Sequence, residues 1–158
     1  MGVKAVSRLI TGAADYEEGT WTPVLEGQTT PGVHTYDNQT GLYTKIGSTI
    51  LAWFVLNVGA MGTDGSAGSG DAQIAGLPYA ARDGSPADYL TFPAVFADVG
   101  GIDLDAVSGY YTVLGRVFHG ASVIRIRRAG DNVTINSVDI GSLSDDAFFV
   151  GMASYRTD

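Results

Sequence analysis

Two arginine side chains in the last third of the chain have the spacing needed to bind an acidic group. Arg125 and Arg127 alternate along a strand-like segment, which places both guanidinium groups on one face. Bidentate hydrogen bonds from arginine to a carboxylate are charge-assisted and specific, so this pair could hold the carboxylate of an acidic sugar. The alternative is that these arginines pair with aspartates of the protein itself, within one chain or across a subunit boundary.

Aromatic side chains close to these arginines could supply stacking surfaces for a sugar ring. Tyr110 and Tyr111 are adjacent in a strand-like segment, so one of them faces outward, and His119 lies further along the same segment. Tyr89, beside Asp88, could form a second platform at the edge of a loop. Ordinary packing is the alternative for each tyrosine. The candidate ligand-binding residues are therefore these four and the two arginines.

The sequence gives little support to catalysis or metal binding. Glu17 and Glu18 are adjacent, so on an extended segment they point in opposite directions, and we interpret them as a solvated acidic turn. Asp103 and Asp105 could share a strand face and bind Ca²⁺, but further oxygen ligands at a recognisable spacing are lacking. No serine lies in a Gly-x-Ser-x-Gly motif. We predict no catalytic residue, no metal site and no cofactor.

Composition and charge restrict the class of partner. The 158 residues suit one domain, and the net charge of −8 predicts repulsion from nucleic acid and from anionic membrane surfaces. The chain has no cysteine, which excludes disulfides and thiolate chemistry. No apolar run is long enough to cross a membrane, so we expect neither nucleic-acid binding nor membrane insertion.

The elements that must position these side chains are strands. Glycine accounts for 22 residues, many at turns between short segments rich in Val, Ile, Thr and aromatic residues. We count about eight to ten such segments and find no convincing helical period. This pattern predicts an all-β fold, an antiparallel β-sandwich of jelly-roll type. We expect residues 1–18 to be a lead-in segment or arm and residues 19–158 to form the domain.

One predicted strand is apolar on both of its faces. One face carries the residues Ile50, Ala52, Phe54, Leu56 and Val58, and the opposite face carries Leu51, Trp53 and Val55. A strand with one wet face would not have this pattern, so both faces should be covered. The cover is either a second sheet plus a loop, or a neighbouring subunit. We interpret Trp21 and Trp53 as anchors of the core or of an interface.

Four segments of the chain are distinctive: DYEEGTWTP at residues 15–23, YDNQTGLYTKIG at 36–47, IAGLPY at 74–79 and MASYRTD at 152–158. Together they resemble a known family, the C-terminal domains of bacteriophage tail fibre and tailspike proteins. They occur in the order typical of that family, and the first two are the most specific. The stretch between Arg82 and Asp146 follows no fixed pattern, and ligand specificity would vary there.

The resemblance implies a virion protein, made in the host cytoplasm and located at the distal tip of a tail fibre. It implies a homotrimeric jelly roll that contacts the rest of the fibre and attaches to a host-surface glycan, either a polysaccharide or lipopolysaccharide. The alternative is a structural trimerisation or capping module without its own ligand. A glycan-degrading enzyme comes third, and we expect the chain not to be an enzyme.

Overall fold

The described part of the fold is built mainly from antiparallel strands. The computed structural model describes residues 16–84, 91–104 and 109–158. Within these ranges the chain forms ten strands: β1 Tyr16–Trp21, β2 Val24–Gly27, β3 Thr35–Ile46, β4 Thr49–Ala60, β5 Ala72–Ala75, β6 Thr91–Ile102, β7 Tyr110–Phe118, β8 Ile124–Gly130, β9 Asn136–Ser137 and β10 Leu143–Arg156.

The all-β antiparallel prediction is confirmed, and the strand count agrees with the expected eight to ten. The one helical element of the described ranges is a 3₁₀ turn at Ile140–Ser142. The strands form a single sheet in the order β1-β3-β4-β10-β6-β7-β8-β5-β2, and β9 pairs with β8. The jelly-roll type and the trimer stay predictions. Since β1 begins at Tyr16, the boundary expected after residue 18 falls inside this strand.

The sheet must curl, because its two end strands are neighbours in sequence. Only Thr22 and Pro23 separate β1 from β2, so the facing ends of these strands lie within about 11 Å of each other. A flat sheet with this strand order would separate them by about 38 Å, at about 4.8 Å per strand. The curl encloses one face of the sheet as a core and turns the other face outward.

Side chains, rather than a ladder of main-chain hydrogen bonds, join β2 to β3 where the curled sheet meets itself. The Tyr36 hydroxyl accepts a hydrogen bond from the Leu25 amide at 3.1 Å and donates to the Leu25 carbonyl at 3.3 Å. The Gln39 side chain donates from Nε2 to the Pro23 carbonyl at 2.9 Å. These hydrogen bonds hold β2 against β3 at the place where the sheet closes on itself.

The enclosed core has the alternation that the sequence predicts. All five residues assigned to one face of β4, from Ile50 to Val58, are buried. Aromatic rings fill the middle of the core, with ring centroids 5.8 Å apart for Trp21 and Phe54 and 6.2 Å apart for Phe54 and Phe96. Trp21 is therefore an anchor of the core.

A close approach to Gly41 fixes the position of the Trp21 ring. The indole Nε1 donates to the main-chain carbonyls of Trp53, at 3.1 Å, and Leu42, at 3.3 Å. A Cβ atom on Gly41 would lie 2.5 Å from this nitrogen, so the position has room only for glycine. The hydrogen bonds satisfy the indole N–H, which is a requirement for burying tryptophan.

The outer face of β4 is not covered by the described residues of its own chain. Trp53 is 40% exposed, and Leu51 and Val55 are only partly buried. Of the two covers expected from the sequence, a second sheet plus a loop is not found among the residues described. Cover by a neighbouring subunit stays a prediction.

Candidate functional site

Three arginines lie together on the outer face of β7 and β8, and we call Arg116, Arg125 and Arg127 the arginine face. The alternation on β8 is as predicted, because Ile124 and Ile126 are buried on the inner side. Arg116 on β7 is directly opposite Arg125 on β8. Sequence reasoning placed two arginines on one face, and the strand register adds the third.

Neighbouring groups fix the orientation of two of these guanidinium groups. The Arg125 guanidinium lies over the ring of Phe118, 4.9 Å from its centroid. Arg127 donates from Nη1 to the Ser137 hydroxyl at 2.7 Å, and that hydroxyl donates to Asp71. The Nε atoms of both arginines are buried, so their side chains lie along the sheet.

The arginine face carries positive charge without a direct ion pair among the described residues. Within the described ranges, no carboxylate oxygen lies within 4.0 Å of a nitrogen of these three arginines; Asp158 instead pairs with Arg82, and Asp83 lies beside His119. Burial lowers the pKa of Arg127, Asp71 opposes this shift, and the charges of Arg116 and Arg125 add to it. The expected alternative of direct pairing with the chain's own aspartates is therefore not found among these residues.

Of the two adjacent tyrosines, Tyr110 and Tyr111, one is exposed and the other packs against the protein, as predicted. Tyr111 is exposed, whereas the Tyr110 hydroxyl donates to the Thr134 carbonyl at 2.9 Å. The Arg128 guanidinium lies over the Tyr110 ring, 4.7 Å from its centroid. Tyr110 is thus held by packing, and Tyr111 is the tyrosine of this pair that is available for stacking.

The structure does not bring the other two candidate residues, His119 and Tyr89, together with Tyr111. His119 follows the far end of β7, about eight residues or roughly 26 Å along the strand from Tyr111. It lies beside Asp83, with Nδ1 and Oδ1 3.1 Å apart. Tyr89 lies outside the described residues. The arginine face lies between the two ends of β7.

A second feature of the outer face is an apolar surface that crosses four strands. Leu42 on β3 is paired with Trp53 on β4, Trp53 with Met152 on β10, and Met152 with Val95 on β6. We call these four residues the apolar surface. Leu42 is 54% exposed and Val95 61% exposed. Contiguous exposed apolar side chains of this kind mark interaction sites.

The Trp53 side chain separates two shallow cavities on this surface. One has a volume of about 190 Å³ and is lined by Leu42, Trp53 and Val150, among others. The other has a volume of about 350 Å³ and is lined by Trp53, Val95 and Met152. A central aromatic residue between apolar hollows is the typical anatomy of an interface core.

A third cluster, missed by sequence reasoning, surrounds Glu17. Its carboxylate accepts hydrogen bonds from the hydroxyls of Tyr43 and Tyr79, the latter at 2.7 Å. The Lys45 ammonium lies 5.6 Å from the centroid of the Tyr79 ring. These hydrogen bonds lower the pKa of Glu17, and the one from Tyr43 raises the pKa of Tyr43 to about 12. The interpretation of Glu17 and Glu18 as a turn is wrong, because both lie in β1.

The residues of this cluster all belong to the family-like segments of the sequence. Glu17 belongs to the first family-like segment, Tyr43 and Lys45 to the second, and Tyr79 to the third. Because Tyr79 follows β5, near one end of the sheet, and Glu17 lies in β1 at the other end, the cluster joins both ends of the curled sheet. We call Glu17, Tyr43 and Tyr79 the clasp, because their hydrogen bonds hold the two ends of the sheet together.

Metal binding has no candidate among the residues described, since no group of three or more His, Asp or Glu side chains is assembled there. In the same part of the chain, no helix has the length and apolar character needed to cross a membrane.

Comparison with known proteins gives a likeness at the level of the fold. No protein-family model and no curated protein sequence matches the chain. Among solved structures, the chain is similar to the crystal structure of the Dettilon tailspike protein, with a TM-score of 0.63 and 18% sequence identity. The likeness covers 89% of this chain and 23% of that one, so this chain spans about a quarter of the tailspike's length. The fold is therefore similar to that of a tailspike domain.

Proposed function

We propose that this chain is a domain of a phage tailspike or tail fibre that assembles as a homotrimer and attaches the virion to host-surface carbohydrate. The observation that carries the proposal is the likeness in fold to the Dettilon tailspike protein over 89% of this chain. The four family-like segments of the sequence support it independently. In this proposal the domain lies at the distal tip and its partners are the rest of the fibre and a polysaccharide or lipopolysaccharide.

The apolar surface supports the homotrimer. Leu42, Trp53 and Val95 are all exposed in the single chain, and their burial against another copy would remove apolar area from water. A three-fold assembly uses a heterologous interface, in which the apolar surface of one copy meets a different surface of the next. Three copies then close into a ring.

The arginine face and Tyr111 support attachment to carbohydrate. The arginine face lies on the outer side of the sheet and Tyr111 is exposed, so a ligand has access to both. Arginine supplies hydrogen-bond donors to sugar oxygens, and an exposed tyrosine ring supplies a flat surface for the C–H face of a sugar.

Two measurements on the full chain test this proposal. Native mass spectrometry should give three times the 16.5 kDa chain mass, and the trimer should bind host cells or spots of host polysaccharide on a glycan array. A monomer at micromolar concentration would overturn the trimer. A trimer that binds neither cells nor glycans would overturn attachment.

A structural trimerisation or capping module is the second candidate. The Glu17 clasp and the apolar surface favour it, because both serve folding and assembly without any ligand. Under this candidate, deleting the domain abolishes trimer formation by the fibre, whereas replacing it with an unrelated trimerisation module restores host attachment. Under the first candidate the same replacement leaves a trimer that does not attach.

A glycan-degrading enzyme is the third candidate, and our proposal includes no catalysis. The Glu17 carboxylate is engaged by two tyrosine hydroxyls on the clasp. Incubation of host capsule with the full chain should release no reducing ends. Release at a rate proportional to protein concentration would reverse this part of the proposal.

A further inference from the structure

We propose that the arginine face, Arg116, Arg125 and Arg127, binds the anionic group of a host-surface glycan, either a sugar carboxylate or a sugar phosphate. This inference rests on the proposed function and deepens it, because it names the chemical class of the ligand.

Like charges lie next to each other on the arginine face. Arg116 and Arg125 are directly opposite each other on neighbouring antiparallel strands, and Arg127 is the next residue on the same face of β8. Like charges in directly opposed positions destabilise a sheet. In a chain with 17 acidic and 9 basic residues, carboxylate partners are plentiful, yet none in the described ranges lies within ion-pair distance of these three. A bound anion would remove this repulsion.

The arginine side chains are ordered by an aromatic ring and a hydroxyl group rather than by direct ion pairs, and the Asp71 charge acts on Arg127 from beyond the Ser137 hydroxyl. The Phe118 ring supports Arg125, and the Ser137 hydroxyl accepts from one Nη atom of Arg127. Each guanidinium has five N–H donors, so donors remain for a ligand. Because these contacts fix the side chains beforehand, less conformational entropy is lost on binding.

Polar and apolar groups suited to a sugar flank the three arginines. Gln73 on β5 is paired with Arg125 across the strands; its Nε2 donates to Glu26 Oε1 at 2.7 Å, which leaves the amide oxygen to accept a hydrogen bond from a sugar hydroxyl. On the other side, Arg116 lines a cavity of about 380 Å³ together with Pro93 and Leu114. This volume is within the range of small-ligand sites and would accommodate one or two sugar rings.

The charge of the whole chain favours a small anionic group over a polyanion. At a net charge of −8, the protein repels nucleic acid, whose binding requires a broad basic surface. Three arginines on an acidic protein instead suit a short, local contact with one or two charged sugars.

Binding of defined oligosaccharides to the full chain tests the inference. The probes are a glucuronate-containing oligosaccharide, a phosphorylated oligosaccharide and a neutral glucose oligosaccharide of the same length, measured by calorimetry at low and high salt. The variants are Arg116→Gln and Arg125→Gln, with Arg125→Lys to keep the charge without the planar fork. Arg82→Gln is the matched control, because it removes the same charge from an exposed arginine paired with Asp158.

We expect the wild type and the control to bind at least one anionic probe, and added salt to weaken that binding. Arg116→Gln and Arg125→Gln should each weaken it by about 10-fold or more, and Arg125→Lys by less. Comparison of the carboxylate and phosphate probes shows whether the site binds a sugar carboxylate or a sugar phosphate. Arg116 makes no hydrogen bond or ion pair within the described ranges, so its variant should fold normally.

Three outcomes would overturn the inference. If the glutamine variants split the oligomer, these arginines bind carboxylates of a neighbouring subunit. If they keep the affinity of the wild type for an anionic probe, the site lies elsewhere. If host cells or neutral glycans are bound and no anionic probe is, the ligand class is wrong while attachment stands. Failure of the wild type to bind any cell or glycan refutes the proposed function itself.

Discussion

Replacing Trp53 by threonine removes the centre of the apolar surface and keeps a residue that favours strands. In the single chain 40% of the Trp53 side chain is exposed. For a side chain that buries about 150–250 Å², about 60–100 Å² remains to be covered by another copy, which contributes about 1.5–2.5 kcal/mol per subunit at about 25 cal/mol per Å². Trp53→Thr should therefore weaken each subunit contact by about 10- to 60-fold.

Sedimentation velocity across a dilution series measures this effect as the concentration at which the trimer dissociates. Tyr111→Thr is the matched control, since it removes an exposed aromatic ring from β7, away from the apolar surface. We expect Trp53→Thr to shift the midpoint to higher protein concentration and Tyr111→Thr to leave it in place. Equal midpoints for the wild type and both variants would refute the reasoning, as would a shift in the Tyr111 variant alone.

Three further predictions concern the core, the pH dependence and the clasp. Gly41→Ala should reduce the free energy of unfolding by about 1–3 kcal/mol, because the new Cβ meets the Trp21 indole. In urea titrations the same substitution should reduce the free energy of unfolding much less when Trp21 is already replaced by leucine. Burial lowers the pKa of His34, so the protein should lose stability as the pH falls below about 6.5, where the unfolded chain takes up the proton first. Urea midpoints at several pH values check this, and a His34→Asn variant that keeps the full dependence would contradict it. Glu17→Gln should bring the pKa of Tyr43 from about 12 back toward 10, as seen in an ultraviolet titration of the phenols; an unchanged curve would mean that the clasp does not form.

The strand faces could be predicted from the sequence because side chains alternate with a period of two. The alternation of Ile50 to Val58 identified the buried face of β4, and Arg125 and Arg127 were correctly placed on one outer face. The same rule predicted that one of Tyr110 and Tyr111 faces outward, and the structure identifies Tyr111 as the exposed one. These predictions need only one strand at a time.

Contacts between strands could not be predicted, because they depend on register and on the curl of the sheet. Arg116 lies opposite Arg125 only in the register that the loop between β7 and β8 allows. Tyr79 is 62 residues from Glu17 in sequence, and only the curl brings them together. The acidic pair at the start of β1 resembles a turn, whereas charged residues are also typical of an edge strand, where they discourage pairing with other chains.

Quenching of tryptophan fluorescence by acrylamide, followed from dilute to concentrated protein, tests the central claim most directly. Of the two tryptophans, Trp21 is buried in the core and Trp53 lies on the apolar surface, so the quenchable emission reports Trp53. We predict strong quenching where the chain is monomeric and protection of Trp53 as copies assemble. An assembled protein in which Trp53 stays as quenchable as in the monomer would show that the apolar surface is not the subunit contact.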